Sequence, residues 1–257
     1  MTLSVCMIAH NEEDKLPAAL ESVRFADQVI VADCESSDLT AVIARDQGAC
    51  VFQRPNLVNL NVNKNFTFDQ ATGDFILCLD ADEVVPQDTA NEIREILEND
   101  PLESGFFLPR RNYWMGVWLR HGGHYPDWQL RLFRRGKGRF PEKHIHERLQ
   151  VEGRIGRLHH PLDHFPYETR EECLRKLEFY SSFEAKYLYQ SGVRPSPIRA
   201  FWYLYWIPCQ RYLRRYLLKR GFLDGAPGRE AIEMDMQNFR LRYYKLKELA
   251  SRDFESQ

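Results

Sequence analysis

The chain has 257 residues, of which 44% are hydrophobic, and its formal net charge is −2 at pH 7. This length fits one α/β domain with an appendage. The nearly balanced charge argues against a nucleic-acid partner, because proteins that bind nucleic acid usually carry an excess of positive charge. The N-terminus lacks a signal-peptide pattern and no run of 18 uncharged apolar residues occurs, so we expect a cytoplasmic protein without a spanning helix.

The first hundred residues alternate between short apolar runs and amphipathic segments. Because strands that alternate with helices of this length form doubly wound sheets, we predict an α/β fold. Neither GxGxxG after the first strand nor GxxxxGK[ST] occurs, which argues against a dinucleotide fold or a P-loop. The strands are predicted at residues 3–9, 28–32, 49–53 and 75–79, and the helices at 16–23, around 42–43 up to Gly48, 61–71 and 86–98.

The amino-acid composition changes from residue 105 onward, where aromatic and basic residues become frequent. A long helical pattern runs from residue 168 to about 189, and Pro195 and Pro197 end it. Six cysteines, at positions 6, 34, 50, 78, 173 and 209, show no CxxC spacing. We therefore predict reduced thiols rather than a disulfide framework or a zinc site.

The stretch FILCLDADEVV places three carboxylates, Asp80, Asp82 and Glu83, directly after a predicted buried strand. Like charges repel one another, so a positive partner is needed beside them. Mg²⁺ or Mn²⁺ binds through carboxylate oxygens and bridges to phosphate oxygens. A chance DxD in a loop is the alternative interpretation. Because of its place at the carboxyl end of a strand, where α/β sheets bind ligands, we predict a metal site.

Two further polar residues belong to the same predicted edge. Asp33 ends the second strand, and Ser37 or Asp38 is better placed to cap the next helix, which leaves Asp33 to accept hydrogen bonds from a base or ribose. Lys64 lies at the start of a helix that is directed toward the same crevice. A solvent-exposed lysine is the alternative interpretation for this residue.

Residues 194–223 contain seven Arg or Lys residues and no acid. A basic helix flanked by aromatic residues suits an anionic membrane surface, and an oligomer interface is the alternative. On a helix from near Pro208 to Gly221, the apolar face holds Tyr212, Leu213, Tyr216 and Leu217, the basic face holds Arg211, Arg214, Arg215 and Lys219, and Trp202, Tyr203, Tyr205 and Trp206 precede both.

Four segments, LSVCMIAHNEEDKLPAALESV, VIVADCESSDLT, NKNFTFDQATGDFILCLDADE and YPDWQLRLFRR, together resemble the family 2 glycosyltransferases. The resemblance is closest to the bacterial subgroup that adds a β-linked glucose to the inner core of lipopolysaccharide, and it covers nearly the whole chain. It implies a GT-A fold with a mixed doubly wound sheet, a UDP-sugar donor, a divalent metal and an inverting displacement. A catalytic domain over residues 1–165, with a donor half (1–100) and an acceptor half (101–165), would precede a helical region at 166–257.

The resemblance also implies roles for single residues. Ala9, Asn11, Glu12 and Asp33 would surround the uracil and ribose, Lys64 would approach the donor, and Asp80 and Asp82 would contact the ribose and the metal-bound diphosphate. Cys34 and Glu35 stand where the subgroup commonly has a Ser-Gly pair, which is a departure from the pattern beside the donor.

Inverting transfer needs a carboxylate that takes the proton of the acceptor hydroxyl. Asp127, in YPDWQL, matches the position where the family places this base; a turn aspartate is the alternative, and Glu83 is the second candidate for the base. In related GT-A enzymes a late histidine completes the metal shell, so His146 is a candidate ligand beside Asp82. Packing or substrate contact is its alternative role.

The residues after this aspartate, Arg131, Arg134, Arg135, Lys137 and Arg139, form a basic cluster that contacts phosphate or lies in a solvated loop.

These predictions combine into one function. The chain is interpreted as an inverting glycosyltransferase, peripherally bound to the inner face of the cytoplasmic membrane, that moves glucose from UDP-glucose to a lipid-linked core oligosaccharide, onto a heptose. Another nucleotide sugar with a polyprenyl-linked or capsule acceptor is the first alternative. A nucleotidyltransferase would need a Gly-rich basic loop where AHNEED stands, and a non-catalytic membrane adaptor would lack the DxD or the base.

Overall fold

The protein is described by a computed structural model, which covers residues 1–142 and 147–255, without the side chains of residues 253–255. The predicted metal ligand His146 lies outside these residues. The chain divides into two compact units, each described below by itself. The first unit is Met1–Arg111 with Asp127–His164, and the second is Asn112–Pro126 with Phe165–Gln257.

The strands and helices predicted for the first hundred residues are confirmed. Gly48 follows the second helix with φ +84°, a left-handed conformation that ends helices and that glycine adopts without strain. The side chain of Asn59 caps the third helix by accepting a hydrogen bond from the Asn61 amide. The elements are β1 (Leu3–Ala9), α1 (Leu16–Ser22), β2 (Gln28–Asp33), α2 (Thr40–Asp46), β3 (Cys50–Gln53), α3 (Leu60–Asp69), β4 (Phe75–Cys78), β5 (Glu83–Val84) and α4 (Gln87–Glu98).

The sheet is mixed. Strands β3, β2, β1 and β4 lie side by side in parallel, and the antiparallel strand β8 (Asp127–Arg134) follows β4. With β6 (Gly105–Trp114) and β12 (Leu162–Tyr167), the order is β3-β2-β1-β4-β8-β6-β12-β5. The near-continuous apolar runs of β1 and β4 are buried because helices cover parallel strands. The later strands are β6 (Gly105–Trp114), β7 (Val117–Trp118), β8 (Asp127–Arg134), β9 (Gly138–Arg139), β10 (Gln150–Val151), β11 (Ile155–Arg157) and β12 (Leu162–Tyr167).

Two apolar clusters form the core of the first unit. One lies where the sheet packs against α1 and α4, with Leu16, Leu77 and Ile93 fully buried. The other surrounds the aromatic side chains of Phe68 and Phe133, whose ring centroids are 5.0 Å apart. Burial of such side chains fixes the strands and therefore the positions of the polar residues at their ends.

The second unit is helical. Its long helix α5 (Arg170–Gln190) is confirmed, starts at the capping residue Thr169, and packs against α8 (Gly225–Glu255). The core between them includes Trp114, Leu177 and Met234.

The basic helix differs from its prediction. Instead of starting near Pro208, it starts at Pro197, where Ser196 is the capping residue, and its last turn ends at Leu218 rather than at Gly221. The segments in order are α6 (Pro197–Phe201), a π-helical stretch (Trp202–Trp206), α7 (Ile207–Tyr212) and a second π-helical stretch (Leu213–Leu218).

The cysteines fit the prediction of reduced thiols. All six are free; four are buried, whereas Cys50 and Cys209 are exposed.

Within residues 1–142 and 147–255, no helix is long and apolar enough to cross a membrane.

Candidate active site

The predicted donor residues follow neighbouring parallel strands. Ala9 ends β1 and Asp33 ends β2, and the two residues are partners in the ladder between these strands. Asp80 and Asp82 come just after β4, which pairs with the other side of β1. The sheet therefore brings these groups to one edge, as its parallel register requires.

Arginine and lysine side chains neutralise the crowded carboxylates. Lys64 Nζ lies 2.6 Å from Asp80 Oδ1, and Arg131 Nη2 lies 2.5 Å from Asp80 Oδ2. The same Arg131 nitrogen is 2.6 Å from Glu83 Oε1, whose side chain is fully buried. Lys64 lies on α3 and Arg131 on β8. Side chains of the protein therefore supply part of the positive charge that the clustered carboxylates need.

The environment fixes the charges in this network. Burial alone would raise the pKa of Asp80, but the positive charges and hydrogen bonds of Arg131 and Lys64 outweigh it and hold that pKa well below its usual range. Burial would lower the pKa of Lys64 and of Arg131, yet the neighbouring carboxylates raise both. Asp80 is therefore ionised at neutral pH, and both cations retain their protons.

The predicted base, Asp127, is held by an arginine on the neighbouring strand. Arg110 donates from Nε and Nη2 to Asp127 Oδ2 at 2.9 and 2.7 Å, and from Nη1 to Glu83 Oε1 at 3.0 Å. Gln129 donates to the other oxygen of Asp127 at 2.8 Å. Arg110 and Asp127 face each other across β6 and β8, so strand register sets this contact.

One cavity collects these groups. It measures about 560 Å³, and the described residues that line it include Lys64, Asp80, Arg110, Asp127 and Arg131. The side chain of Asp127 is 30% exposed and is therefore open to a bound molecule. The structure thus places the predicted base, one predicted donor contact and one aspartate of the DxD in a single cavity.

The other predicted donor residues do not line this cavity. Asn11 has φ +54° and accepts hydrogen bonds from the Ser37 amide and hydroxyl, which ties the loop after β1 to the loop after β2. Glu12 donates its amide to Thr40 Oγ1. Both residues therefore shape the two loops.

Asp33 is 1% exposed, and among the described residues its Oδ1 has no hydrogen-bond partner. Asp38, not Asp33, accepts from the Thr40 amide at the start of α2, although the N-cap residue is Leu39 and neither Ser37 nor Asp38 occupies that position. A buried oxygen without a partner is costly, so a ligand that donates to Asp33 is favoured.

Among the described residues, the carboxylates that follow β4 offer few donors for a metal. Both oxygens of Asp80 bind cationic side chains, while Asp82 Oδ2 lies 3.6 Å from His164 Nε2. Over residues 1–142 and 147–255, no group of three His, Cys, Asp or Glu residues could hold a metal. One carboxylate and one imidazole would suit a divalent cation, which would need further oxygen ligands.

Several residues of the site were missed or misjudged. Arg110 was not singled out, although it registers with Asp127, and His164 was not assigned, although it lies opposite Glu83 in the ladder of β12 and β5. Glu83 was the second candidate for the base. Its buried side chain, bound to Arg110 and Arg131, favours a positioning role instead.

The predicted basic cluster is not one surface. Arg131 is buried in the network, whereas Arg134 donates to the Pro101 carbonyl and Arg139 pairs with Asp69. Arg131 and Arg134 belong to β8 and Arg139 belongs to the short strand β9, so the three side chains contact different parts of the first unit.

Several known proteins are similar to this chain. The solved structures similar to this chain include S. aureus TarS 1-349, with a TM-score of 0.49 and 16% identity over 95% of this chain and 90% of that one. They also include glucosyl-3-phosphoglycerate synthase from Mycobacterium tuberculosis in complex with Mn²⁺, uridine-diphosphate and glucosyl-3-phosphoglycerate, with a TM-score of 0.37 and 21% identity, where the match covers 44% of each chain.

Two curated relatives match over most of their length. The lipopolysaccharide core biosynthesis glycosyltransferase LpsC of Rhizobium meliloti is 28% identical over 89% of this chain and 88% of its own. The glycosyltransferase RT0209 of Rickettsia typhi is 27% identical over 96% of this chain and 87% of its own.

Residues 4–151 match the family described as glycosyl transferase family 2. This match covers more than half of the chain, and the mixed α/β sheet is the GT-A fold that the resemblance implied. The protein therefore belongs to glycosyl transferase family 2 and is a glycosyltransferase.

Proposed function

We propose that the protein transfers glucose from UDP-glucose to a saccharide of the lipopolysaccharide core, with a heptose hydroxyl as the acceptor. The observation that carries the proposal is the Asp127 carboxylate, which lies in one cavity with the Lys64–Asp80 pair. The name of the LpsC relative supports the acceptor class, and the motif resemblance supports the donor.

Asp127 is the proposed base. The acceptor oxygen attacks the anomeric carbon while the bond from that carbon to the diphosphate oxygen breaks. Asp127 takes the hydroxyl proton, and this single displacement inverts the anomeric configuration. Arg110 and Gln129 each donate a hydrogen bond to one carboxylate oxygen, and these bonds fix the orientation of Asp127.

Donor binding is assigned to the strand ends. Lys64 and Asp80 contact the ribose and diphosphate, and the unpartnered oxygen of Asp33 accepts a hydrogen bond from the uracil or ribose. Ala9, Asn11 and Glu12 supply the loop that surrounds the uracil ring of the donor. Arg131 fixes the position of Asp80 through its ion pair with Oδ2.

A divalent metal, Mg²⁺ or Mn²⁺, would be held by Asp82 with His164 or with the predicted ligand His146. When bound, the metal offsets the charge of the leaving diphosphate. Asp82 and His164 already lie within 3.6 Å of each other, so these two residues offer both a hard oxygen and an imidazole nitrogen.

The donor assignment is tested by thermal unfolding with a set of nucleotide sugars, with and without Mn²⁺. At about 100 times its Kd, a ligand stabilises by about 2.7 kcal/mol, so we expect UDP-glucose with Mn²⁺ to raise Tm by about 5–10 °C. Asp82→Ala should remove the metal-dependent part of this shift, whereas Asp46→Ala, which removes an exposed carboxylate, should not. An equal shift in EDTA contradicts the metal, and a larger shift with another nucleotide sugar favours the alternative donor.

We further propose that the second unit binds the inner surface of the cytoplasmic membrane, where a lipid-linked acceptor resides. Residues 198–223 expose many large apolar side chains, and Leu218 is 80% exposed. The others that are more than 40% exposed are Ile198, Phe201, Trp202, Tyr205, Trp206, Leu213, Leu217, Phe222 and Leu223. Exposed apolar surface of this kind marks an interaction site, and the interleaved arginines and lysines suit anionic lipid.

The membrane assignment predicts the effect of Trp202→Ser with Trp206→Ser, which are 45% and 48% exposed. If each indole contributes about 1 kcal/mol on insertion, the double variant should bind anionic vesicles roughly 30-fold more weakly. Vesicle co-sedimentation measures this partition. Phe179→Ser with Tyr187→Ser, which removes exposed aromatic residues on α5, is the matched control and should bind like the native protein. Unchanged vesicle binding together with a changed oligomeric mass would show that the helix is a subunit interface.

A further inference from the structure

A surface cavity in the second unit is lined by basic side chains. It measures about 400 Å³, and among the described residues that line it no carboxylate occurs. The residues that matter here are Gly122, Gly123, Arg211, Arg214, Arg215 and Lys219. The cavity shares no residue with the one that contains Asp127.

Two of the four cations are fixed by one carboxylate. Arg211 Nη2 and Arg215 Nη1 lie 2.7 and 2.9 Å from the same oxygen of Asp235. Arg215 also donates from Nε to the Gly122 carbonyl at 3.0 Å, and its Nη2 lies 2.9 Å from His124 Nε2. The wall of the cavity is therefore rigid, and its two guanidinium groups exceed the charge of their partner by one.

The other two cations also line the cavity. Arg214 and Lys219 are exposed, and within the described part of the chain no carboxylate forms an ion pair with either side chain. A Cβ atom on Gly123 would lie 2.5 Å from Lys219 Nζ, which shows how closely the ammonium group lies over the Gly122–Gly123 turn. The Gly122 amide donates to the Lys219 carbonyl at 2.9 Å and fixes this turn to the helix end.

We propose that this cavity binds a phosphate group carried by a ligand other than the sugar donor. Four cations and Asp235 leave three positive charges around a concave surface, and a phosphate dianion is the group that matches several converging guanidinium and ammonium donors. The phosphate comes either from a phosphorylated saccharide or from a phospholipid headgroup. The proposal goes beyond glycosyl transfer and does not depend on the identity of the transferred sugar; its lipid alternative rests on the proposed membrane binding, and its saccharide alternative does not.

The test uses the full chain and compares two charge-matched pairs of substitutions. Arg214→Gln with Lys219→Gln removes the two cations that lack partners. Arg175→Gln with Lys186→Gln removes the same residue types from the exposed side of α5. Calorimetric titration measures Kd for inorganic phosphate and glucose 6-phosphate, with excess UDP present so that the first unit's cavity does not contribute. Co-sedimentation measures binding to phosphatidylcholine vesicles that contain phosphatidic acid.

We call the titration with glucose 6-phosphate the saccharide arm and the vesicle co-sedimentation the lipid arm. Arg214→Gln with Lys219→Gln should raise Kd by about tenfold or more in at least one arm, and the α5 pair should change it by less than about twofold. A loss with glucose 6-phosphate alone assigns the site to a phosphorylated saccharide, and a loss with vesicles alone assigns it to a lipid headgroup. If both arms weaken, the site is a phosphate site and the arm with the lower Kd identifies the source. Equal effects of the two pairs, or no effect in either arm, overturn the proposal.

Discussion

Asp127→Asn is expected to lower kcat by about 10²–10⁴-fold while the affinity for UDP-glucose stays nearly unchanged. Asparagine keeps the shape of the side chain but cannot take a proton from the acceptor hydroxyl. The backbone ladder between β6 and β8 does not use the side chain of Asp127, so these two strands should remain in register in the variant. Steady-state kinetics give kcat, and calorimetric titration of the donor gives the affinity.

The matched control for this prediction is Asp100→Asn, which also removes the charge of an aspartate paired with an arginine. Asp100 lies 3.4 Å from Arg134 and is 76% exposed, away from the cavity that holds Asp127. Its replacement should leave kcat and donor affinity unchanged. A collapse of donor affinity in Asp127→Asn, with kcat preserved at saturation, would instead make Asp127 a donor ligand.

Arg131→Met is expected to have the largest effect on stability. The side chains of Arg131 and Glu83 are 7% and 0% exposed, so the substitution leaves a buried carboxylate with fewer positive partners. Breaking a buried ion pair from one side costs about 3–5 kcal/mol of the free energy of unfolding. Denaturant unfolding measures this loss. Glu83→Gln in the same chain should recover part of it, because the uncompensated charge is then removed.

Arg139→Met is the control for this second prediction. Its guanidinium pairs with Asp69 at 2.8 Å, but both side chains are more than half exposed. An exposed pair contributes less than about 1 kcal/mol, so the two arginine variants should differ by at least 2 kcal/mol. Equal losses would mean that the buried network adds no more stability than a surface pair does.

Apolar periodicity was enough to predict the parallel half of the sheet. Leu3–Ala9 and Phe75–Cys78 are buried strands because their runs of apolar residues have no other favourable environment, and the polar residues that follow them lie at one edge as expected. The site at that edge follows from topology rather than from any contact visible in the sequence.

The antiparallel contacts could not be predicted in the same way. Arg110 meets Asp127 only because β6 and β8 pair in one register, and no local pattern in LPRRNY specifies it. A weaker signal was present in DWQLRLF. Alternation along a strand would have grouped Arg131 with Asp127 and Gln129 and so separated it from the basic cluster, although the ladder with β6 shifts register beside Arg131.

The basic helix shows a second limit of sequence periodicity. A 3.6-residue repeat assigns residues to faces, but two π-helical stretches change the repeat at Trp202–Trp206 and Leu213–Leu218. Arg211 and Arg215 still share one face, four residues apart, but that face contacts Asp235 instead of lying in solvent, and no sequence repeat shows this contact.

One exposed cysteine, Cys209, offers a site for chemical labelling of the helix α7. Burial raises the pKa of Cys173 to about 11 and raises the pKa values of Cys6, Cys34 and Cys78, whereas Cys209 is exposed on α7. Because Cys50 is the other exposed cysteine, Cys50→Ser leaves a chain in which a mild alkylating reagent modifies Cys209 first. A nitroxide or an environment-sensitive fluorophore attached to this native cysteine would report whether the helix enters a vesicle membrane, as proposed, and to what depth.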